Sequence, residues 1–147
     1  MDLARLEKKF QTFDKNLPTE EICRKKLYRW RWKKGFKCPE CGAFGKSAMY
    51  FHRNRNLYQC KECGRQTSLT AGTIFHRTRV QLRTWLLMIY LMMLKPDNMR
   101  MDETRKTLGL TSRTFWRMKK IIERAMKQDR LVRKIMDIMD PKGKYHQ

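Results

Sequence analysis

The chain has 147 residues with 35 Lys and Arg against 14 Asp and Glu, a formal charge of +21 and a pI near 10.3. That length holds one domain or two very small ones, which leaves little room for a large catalytic fold, while 41% hydrophobic residues exclude a wholly disordered tail. The longest apolar run, Trp85 to Leu94, is too short to cross a bilayer, and so much positive charge requires a polyanion, nucleic acid before an acidic membrane surface or ribosomal RNA.

Residues 2 to 13 place Leu3, Leu6, Phe10 and Phe13 at helical spacing with Lys8 and Lys9 off the stripe, a short amphipathic helix that needs a partner. The opening Met1-Asp2-Leu3-Ala4-Arg5 lacks the apolar stretch of a signal peptide. After Asn16-Leu17-Pro18, Thr19 can cap a second helix running to about Trp30, its first turn holding Glu20 and Glu21 at the positive end of the dipole. Cys23 on that helix reads as a small buried thiol. From Arg24 to Lys37 there are eight basic residues, no acid, and the aromatics Tyr28, Trp30, Trp32 and Phe36. Two readings compete there: the charges track phosphates while the aromatics stack on bases or sugars, or Trp30, Trp32 and Phe36 pack the ribbon onto its neighbouring helix while the charges are solvated. Packing is expected of the tryptophans, and phosphate contact of some of the charges, among them Lys25, Arg29, Arg31, Lys33 and Lys34.

Four of the five cysteines stand as Cys38-Pro39-Glu40-Cys41 and Cys60-Lys61-Glu62-Cys63, separated by the 18 residues from Gly42 to Gln59. Each pair can fold into a knuckle that aims two thiolates at one point. Four thiolates satisfy the tetrahedral preference of Zn2+, so Cys38, Cys41, Cys60 and Cys63 are the expected ligands of one structural zinc; a redox site or reduced thiols in a core are the alternatives. Gly42 and Gly64 each follow a second ligand, where the turn calls for positive φ. Between the knuckles and just past them, Ser47 to Phe51, Asn56 to Cys60 and Arg65 to Leu69 read as short strands. His52 and His76 read as an exposed strand residue and a turn residue, neither with the partners of a catalytic base.

Val80 to Leu94 is expected to be a strongly apolar helix with Met88, Met92 and Met93 as core filling, stopped by Pro96-Asp97-Asn98. Asp102 to Leu108, Gly109-Leu110-Thr111 and Ser112 to Ala125 have the layout of a helix-turn-helix, capped by Thr111 or Ser112. The second helix sets Phe115, Met118, Ile122 and Ala125 on one stripe and Arg113, Arg117, Lys120 and Arg124 on another. In that motif the leading residues Ser112, Arg113, Thr114 and Arg117 reach base edges, and Lys120 and Arg124 extend the cationic face. A last segment with Leu131, Ile135, Ile138 and Met139 as its apolar face ends at Asp140-Pro141, with Asp137 and Asp140 as solvated helix-end acids and Lys142 to Gln147 as a disordered tail. The fold expected is α+β, mostly α: a small four-cysteine zinc ribbon of short antiparallel strands packed with helices, then a helix-turn-helix. Its segments are 1–35 (N-terminal helices), 36–70 (ribbon), 71–127 (helix-turn-helix region) and 128–147 (C-terminal helix and tail).

Several runs carry a family resemblance: Leu17-Pro18-Thr19-Glu20-Glu21, Trp30-Arg31-Trp32, Gly35-Phe36, the first knuckle with Gly42, Tyr58-Gln59-Cys60, Arg65-Gln66-Thr67-Ser68, Leu108-Gly109-Leu110-Thr111 and Trp116-Arg117-Met118. The most specific is Thr70-Ala71-Gly72-Thr73-Ile74-Phe75-His76-Arg77-Thr78. Over roughly residues 17 to 127 the chain resembles zinc-ribbon insertion-sequence transposases of the Merlin-like group. The resemblance implies a DNA-binding front end, ribbon plus helix-turn-helix, followed in that family by a ribonuclease-H-like domain with catalytic carboxylates and Mg2+. After residue 127 the sequence leaves no room for such a domain, so catalysis is not expected of this chain. Asp102 and Thr104 stand where the family has apolar residues, so a weakly packed first helix is expected. The function expected is recognition of transposon-end or operator duplex DNA by a cytoplasmic, nucleoid-associated protein that uses no membrane and can form homo-oligomers. Two alternatives stand beside it: one chain of a split transposase with a separate catalytic partner, or a basic zinc-ribbon module that binds RNA.

Overall fold

A computed structural model describes residues 3–94 and 100–140. The Pro96-Asp97-Asn98 stop, the tail Lys142 to Gln147 and the side chains of Leu3 and Leu6 lie outside what it describes. In chain order the elements are α1 (Leu3–Asn16), α2 (Glu20–Arg31), β1 (Met49–His52), β2 (Leu57–Cys60), β3 (Gln66–Ser68), α3 (Leu82–Leu94), α4 (Met101–Thr107), α5 (Ser112–Gln128) and α6 (Arg130–Met139). They form two compact units, one from Met1–Cys23 with Thr78–Gln147 and the other from Arg24–Arg77. Among the described residues no helix is long and apolar enough to cross a membrane.

The helical unit is organised around α3, which buries Leu82, Trp85 through Leu91, Met93 and Leu94 and is therefore apolar on nearly every side. α1 covers it with Phe13, whose ring lies 5.6 Å from that of Tyr90. α5 and α6 pack against α3 and each other. α5 buries the anticipated stripe Phe115, Met118, Ile122 and Ala125. α4 is joined to α5 by a turn in which Gly109, at φ 66°, donates its N–H to Lys106 O at 3.0 Å. Thr104 is buried despite its hydroxyl, because Oγ1 donates back to Arg100 O at 3.1 Å, while Asp102 remains exposed.

Two expectations for α6 need correction. Its buried residues are Val132, Ile135 and Met136, whereas Ile138 is 46% exposed and Leu131 and Met139 are half-buried. The apolar residues 131, 132, 135, 136, 138 and 139 allow more than one stripe on a helix. Asp129, accepting the Val132 N–H at 3.0 Å, starts the helix, and packing against α3 and α5 selects the phase. Asp140, read as a solvated acid, is buried, its N–H bonded to Met136 O at 2.9 Å; Asp137 is exposed as expected.

The ribbon unit is a three-stranded antiparallel sheet in the order β1-β2-β3. Tyr50 pairs Gln59 and Phe51 pairs Tyr58 across the first ladder, and Tyr58 pairs Thr67 and Gln59 pairs Gln66 across the second. Because side chains alternate along a strand, Phe51, Tyr58 and Thr67 share one face and Tyr50, Gln59 and Gln66 the other. The first face is the packed one. Tyr58 lies 4.8 Å from Phe51, 5.2 Å from Trp32 and 5.6 Å from Tyr28 between ring centroids, and Trp32 and Phe36 are buried beneath it. Such offset and edge-on pairs stabilise beyond the area they bury. β1 starts two residues later than the sequence pattern implies because residues 46–48 form a 3-10 turn, and a second such turn, residues 53–55, follows its end at His52.

Candidate metal centre and nucleic-acid surfaces

The two Cys-x-x-Cys knuckles repeat the same backbone bonds. Gly42 N–H donates to Cys38 O at 3.1 Å and Gly64 N–H to Cys60 O at 3.0 Å. The first cysteine of each pair donates in turn, Cys38 N–H to Ala43 O and Cys60 N–H to Arg65 O, both at 2.9 Å. Gly42 at φ 74° and Gly64 at φ 75° take the left-handed conformation that turns the chain back, which a Cβ would strain. Each loop thus aims two sulfurs the same way.

The four sulfurs converge, all lying within 4.8 Å of one another. Cys38 Sγ is 3.6 Å from Cys63 Sγ, and Cys41 Sγ is 3.6 Å from Cys60 Sγ. Four Zn–S bonds of about 2.3 Å in a tetrahedron require sulfurs about 3.8 Å apart. Disulfides need about 2.05 Å, so the cluster fits a metal and not a pair of cross-links. Cys38 and Cys60 are buried, Cys41 and Cys63 exposed. The backbone N–H of Cys41 pulls the Cys38 thiol down against the opposing effect of burial, while in Cys41 and Cys63 the backbone N–H bonds are outweighed by burial and the neighbouring sulfurs, which push those thiols up. The cluster can hold one structural Zn2+, and with four protein sulfurs filling the coordination sphere no position is left for substrate or water.

Basic residues of the ribbon unit divide into two roles. Lys25, Arg29, Lys33 and Lys34 present exposed side chains. Arg31 is half-buried, and its Nη1 donates to Ser68 O at 3.1 Å and Leu69 O at 2.6 Å, with the guanidinium 4.6 Å from the Trp32 ring. Burial lowers its pKa from the usual arginine value. Arg31, Lys33, Lys34 and Lys37 line an open groove beside the first knuckle, together with Phe44, which is 56% exposed. Phe44 was not legible as a surface residue, since it lies in a loop without periodicity.

On α5, Ser112, Arg113, Arg117, Lys120 and Arg124 are exposed. With about 100° per residue, the four cations form one line along the helix, opposite the buried stripe. Thr111 caps the helix, accepting the Thr114 N–H at 3.3 Å and donating its hydroxyl to Thr114 Oγ1 at 2.9 Å, so the Thr114 side chain is part of the cap. Trp116, 46% exposed, stands beside the cationic line with Lys119 Nζ 5.8 Å from its ring centroid. Its position was not anticipated, because helical periodicity sets Trp116 between the two stripes. His52, half-buried, bonds Gln59 Oε1 through Nε2 at 2.6 Å, and His76 is exposed.

Residues 18–66 match the model of a transposase zinc-ribbon domain. An uncharacterized protein in transposable element ISH50 of Halobacterium salinarum is 36% identical over 64 residues, which are 44% of this chain and 22% of that protein. The chain thus matches about a fifth of that relative's length. No solved structure matches the chain. The ribbon, its four cysteines and the paired knuckles make this part of the chain similar to transposase zinc ribbons.

Proposed function

We propose that this chain binds duplex DNA as the front end of an insertion-sequence transposase, reading transposon-end or operator sequence through α5 of a helix-turn-helix formed with α4. The observation that carries the reading is the line of exposed Arg113, Arg117, Lys120 and Arg124 opposite the buried Phe115, Met118, Ile122 and Ala125. A helix fits the major groove of B-DNA, and a basic face offers both phosphate contacts and the bidentate fork that arginine makes to guanine. Duplex RNA excludes a helix from its narrow major groove, which disfavours the RNA alternative. In this reading Ser112, Arg113 and Arg117 meet base edges, Lys120 and Arg124 phosphates, and Lys25, Arg29, Lys33 and Lys34 of the ribbon unit further phosphates. Arg31 instead ties the end of α2 to the end of β3. The finer assignment to the Merlin-like group rests on the Thr70 to Thr78 run, which lies beyond the matched residues 18–66.

A second reading is a DNA-binding subunit whose catalytic chain is separate. Both readings are tested by binding to cognate and random duplex across a salt series. Arg113→Ala or Arg117→Ala should narrow the gap between the two duplexes by about 1–3 kcal/mol. Lys33→Ala should weaken both alike and lower the salt slope by about one unit. An unchanged gap in both arginine variants would overturn the helix-turn-helix reading.

A further inference from the structure

The ribbon sheet has a second face. Tyr50, Gln59 and Gln66 stand in register across β1, β2 and β3, opposite the face that packs on Trp32 and Phe36. Tyr50 is 57% exposed, whereas on the other face Phe51, 38% exposed, lies 4.8 Å from the Tyr58 ring between centroids. Its ring is held in place: the His52 imidazole meets it edge-on with centroids 4.8 Å apart, and His52 is fixed by its 2.6 Å bond to Gln59. Immediately after β1 the chain turns through Arg53, Asn54 and Arg55, all exposed, and residues 50–55 line an open groove. Between Glu40 and Glu62 the sequence contains no carboxylate.

We infer that this outer face binds an unpaired stretch of DNA, one base stacking on the Tyr50 ring, its edge within reach of the Gln59 and Gln66 amides, and its phosphates beside Arg53 and Arg55. A base inside a duplex has both faces covered by its neighbours and cannot lie on an aromatic ring, so the ligand has to be unpaired. The Gln66 amide offers both donor and acceptor to a base edge and Gln59, whose Oε1 is engaged by His52, its amide N–H groups, while two arginines on one turn give the backbone a basic track. This site is built from residues other than those of the α5 line, and its use of a single strand does not depend on how α5 reads duplex. Only the choice of DNA over RNA rests on the function proposed above.

The test is fluorescence anisotropy with the zinc-loaded full chain and a labelled thymidine strand of about 12 nucleotides, a duplex of the same length, and a uridine strand. Tyr50→Ala should weaken binding of the thymidine strand about tenfold and leave the duplex unchanged. Tyr50→Phe, which keeps the ring, should bind the strand like the parent. Equal weakening of strand and duplex by Tyr50→Ala, no weakening at all, or Tyr50→Phe behaving like Tyr50→Ala would overturn the stacking site. Tighter binding of the uridine strand with the same dependence on Tyr50 would overturn the assignment to DNA. Should Tyr50→Ala lose its zinc, photocrosslinking of a 5-iodouracil strand to the parent chain decides: a crosslink at Tyr50 supports the site, and crosslinks confined to other residues overturn it.

Discussion

The carboxylate of Glu20 caps α3 across the chain: Oε1 accepts the Leu82 N–H and Oε2 the Arg83 N–H, both at 2.8 Å. The Arg83 side chain completes the exchange by donating Nε to Leu17 O at 2.8 Å, pairing with Asp14 and lying 5.4 Å from the Phe13 ring. A helix start leaves its first N–H groups without partners, and a carboxylate both accepts from them and meets the positive end of the dipole. Thr19, one residue before Glu20, caps α2 itself by accepting the Ile22 N–H at 3.3 Å, which leaves Glu20 for α3.

Glu20→Ala should therefore destabilise the helical unit by about 1–2 kcal/mol, and Glu20→Gln by less because the amide still accepts one hydrogen bond. Thermal melting followed at 222 nm measures both. Glu21→Ala, a change of the same residue type one position along, serves as the control and should move the midpoint less than Glu20→Ala does.

Zinc should be present at one ion per chain. Removing it with a chelator, or breaking the site with Cys41→Ser, should unfold the ribbon unit, since structural zinc contributes on the order of 10 kcal/mol to small metal-held folds. Metal analysis together with near-ultraviolet circular dichroism, which reports Tyr28, Trp32 and Tyr58, checks this. Because ligands bind as thiolates, affinity should fall as pH is lowered, zinc being displaced by protons.

Arg31 and Lys33 lie two residues apart but should respond oppositely to substitution. Arg31→Met removes two hydrogen bonds to carbonyls and should cost about 1–3 kcal/mol of ribbon stability. Lys33→Ala should leave the melting midpoint unchanged and weaken DNA binding. Melting curves and duplex titrations on both variants separate a structural cation from a phosphate contact.

On the proposed reading as a DNA-binding front end, the purified chain incubated with Mg2+ or Mn2+ and duplex DNA should neither nick nor join strands. Gel assays of strand integrity test this; metal-dependent cleavage abolished by Asp137→Ala would show that the C-terminal acids form part of an active centre.

What was legible in the sequence is what closes over a few residues. Each knuckle completes its hydrogen bonds between Cys38 and Ala43 or between Cys60 and Arg65. Spacing and the following glycine therefore carry the metal site almost whole. The buried stripe of α5 was legible for a related reason: a 3.6-residue period with cations on the opposite side leaves a single phase.

Other features were decided only when distant segments met. The partners of Glu20 stand 62 and 63 residues away, and those of Arg31 37 and 38 residues away, so neither role has a local signature. Read along the chain, Glu20 is a first-turn acid and Arg31 one cation in a basic run. The phase of α6 was open because its apolar residues spread over an arc of about 160° at 100° per residue, wide enough for more than one stripe of three or four, and contact with α3 and α5 chose Val132, Ile135 and Met136 over Ile138. Likewise, alternation along β1 assigns Tyr50 and Phe51 to opposite faces, but only the packing of Tyr58 on Trp32 and Phe36 determines which face is buried and leaves Tyr50 to solvent. Local covalent geometry and periodicity determined the metal site and the faces of regular elements; burial, a property of the assembled chain, determined which of those faces meets water.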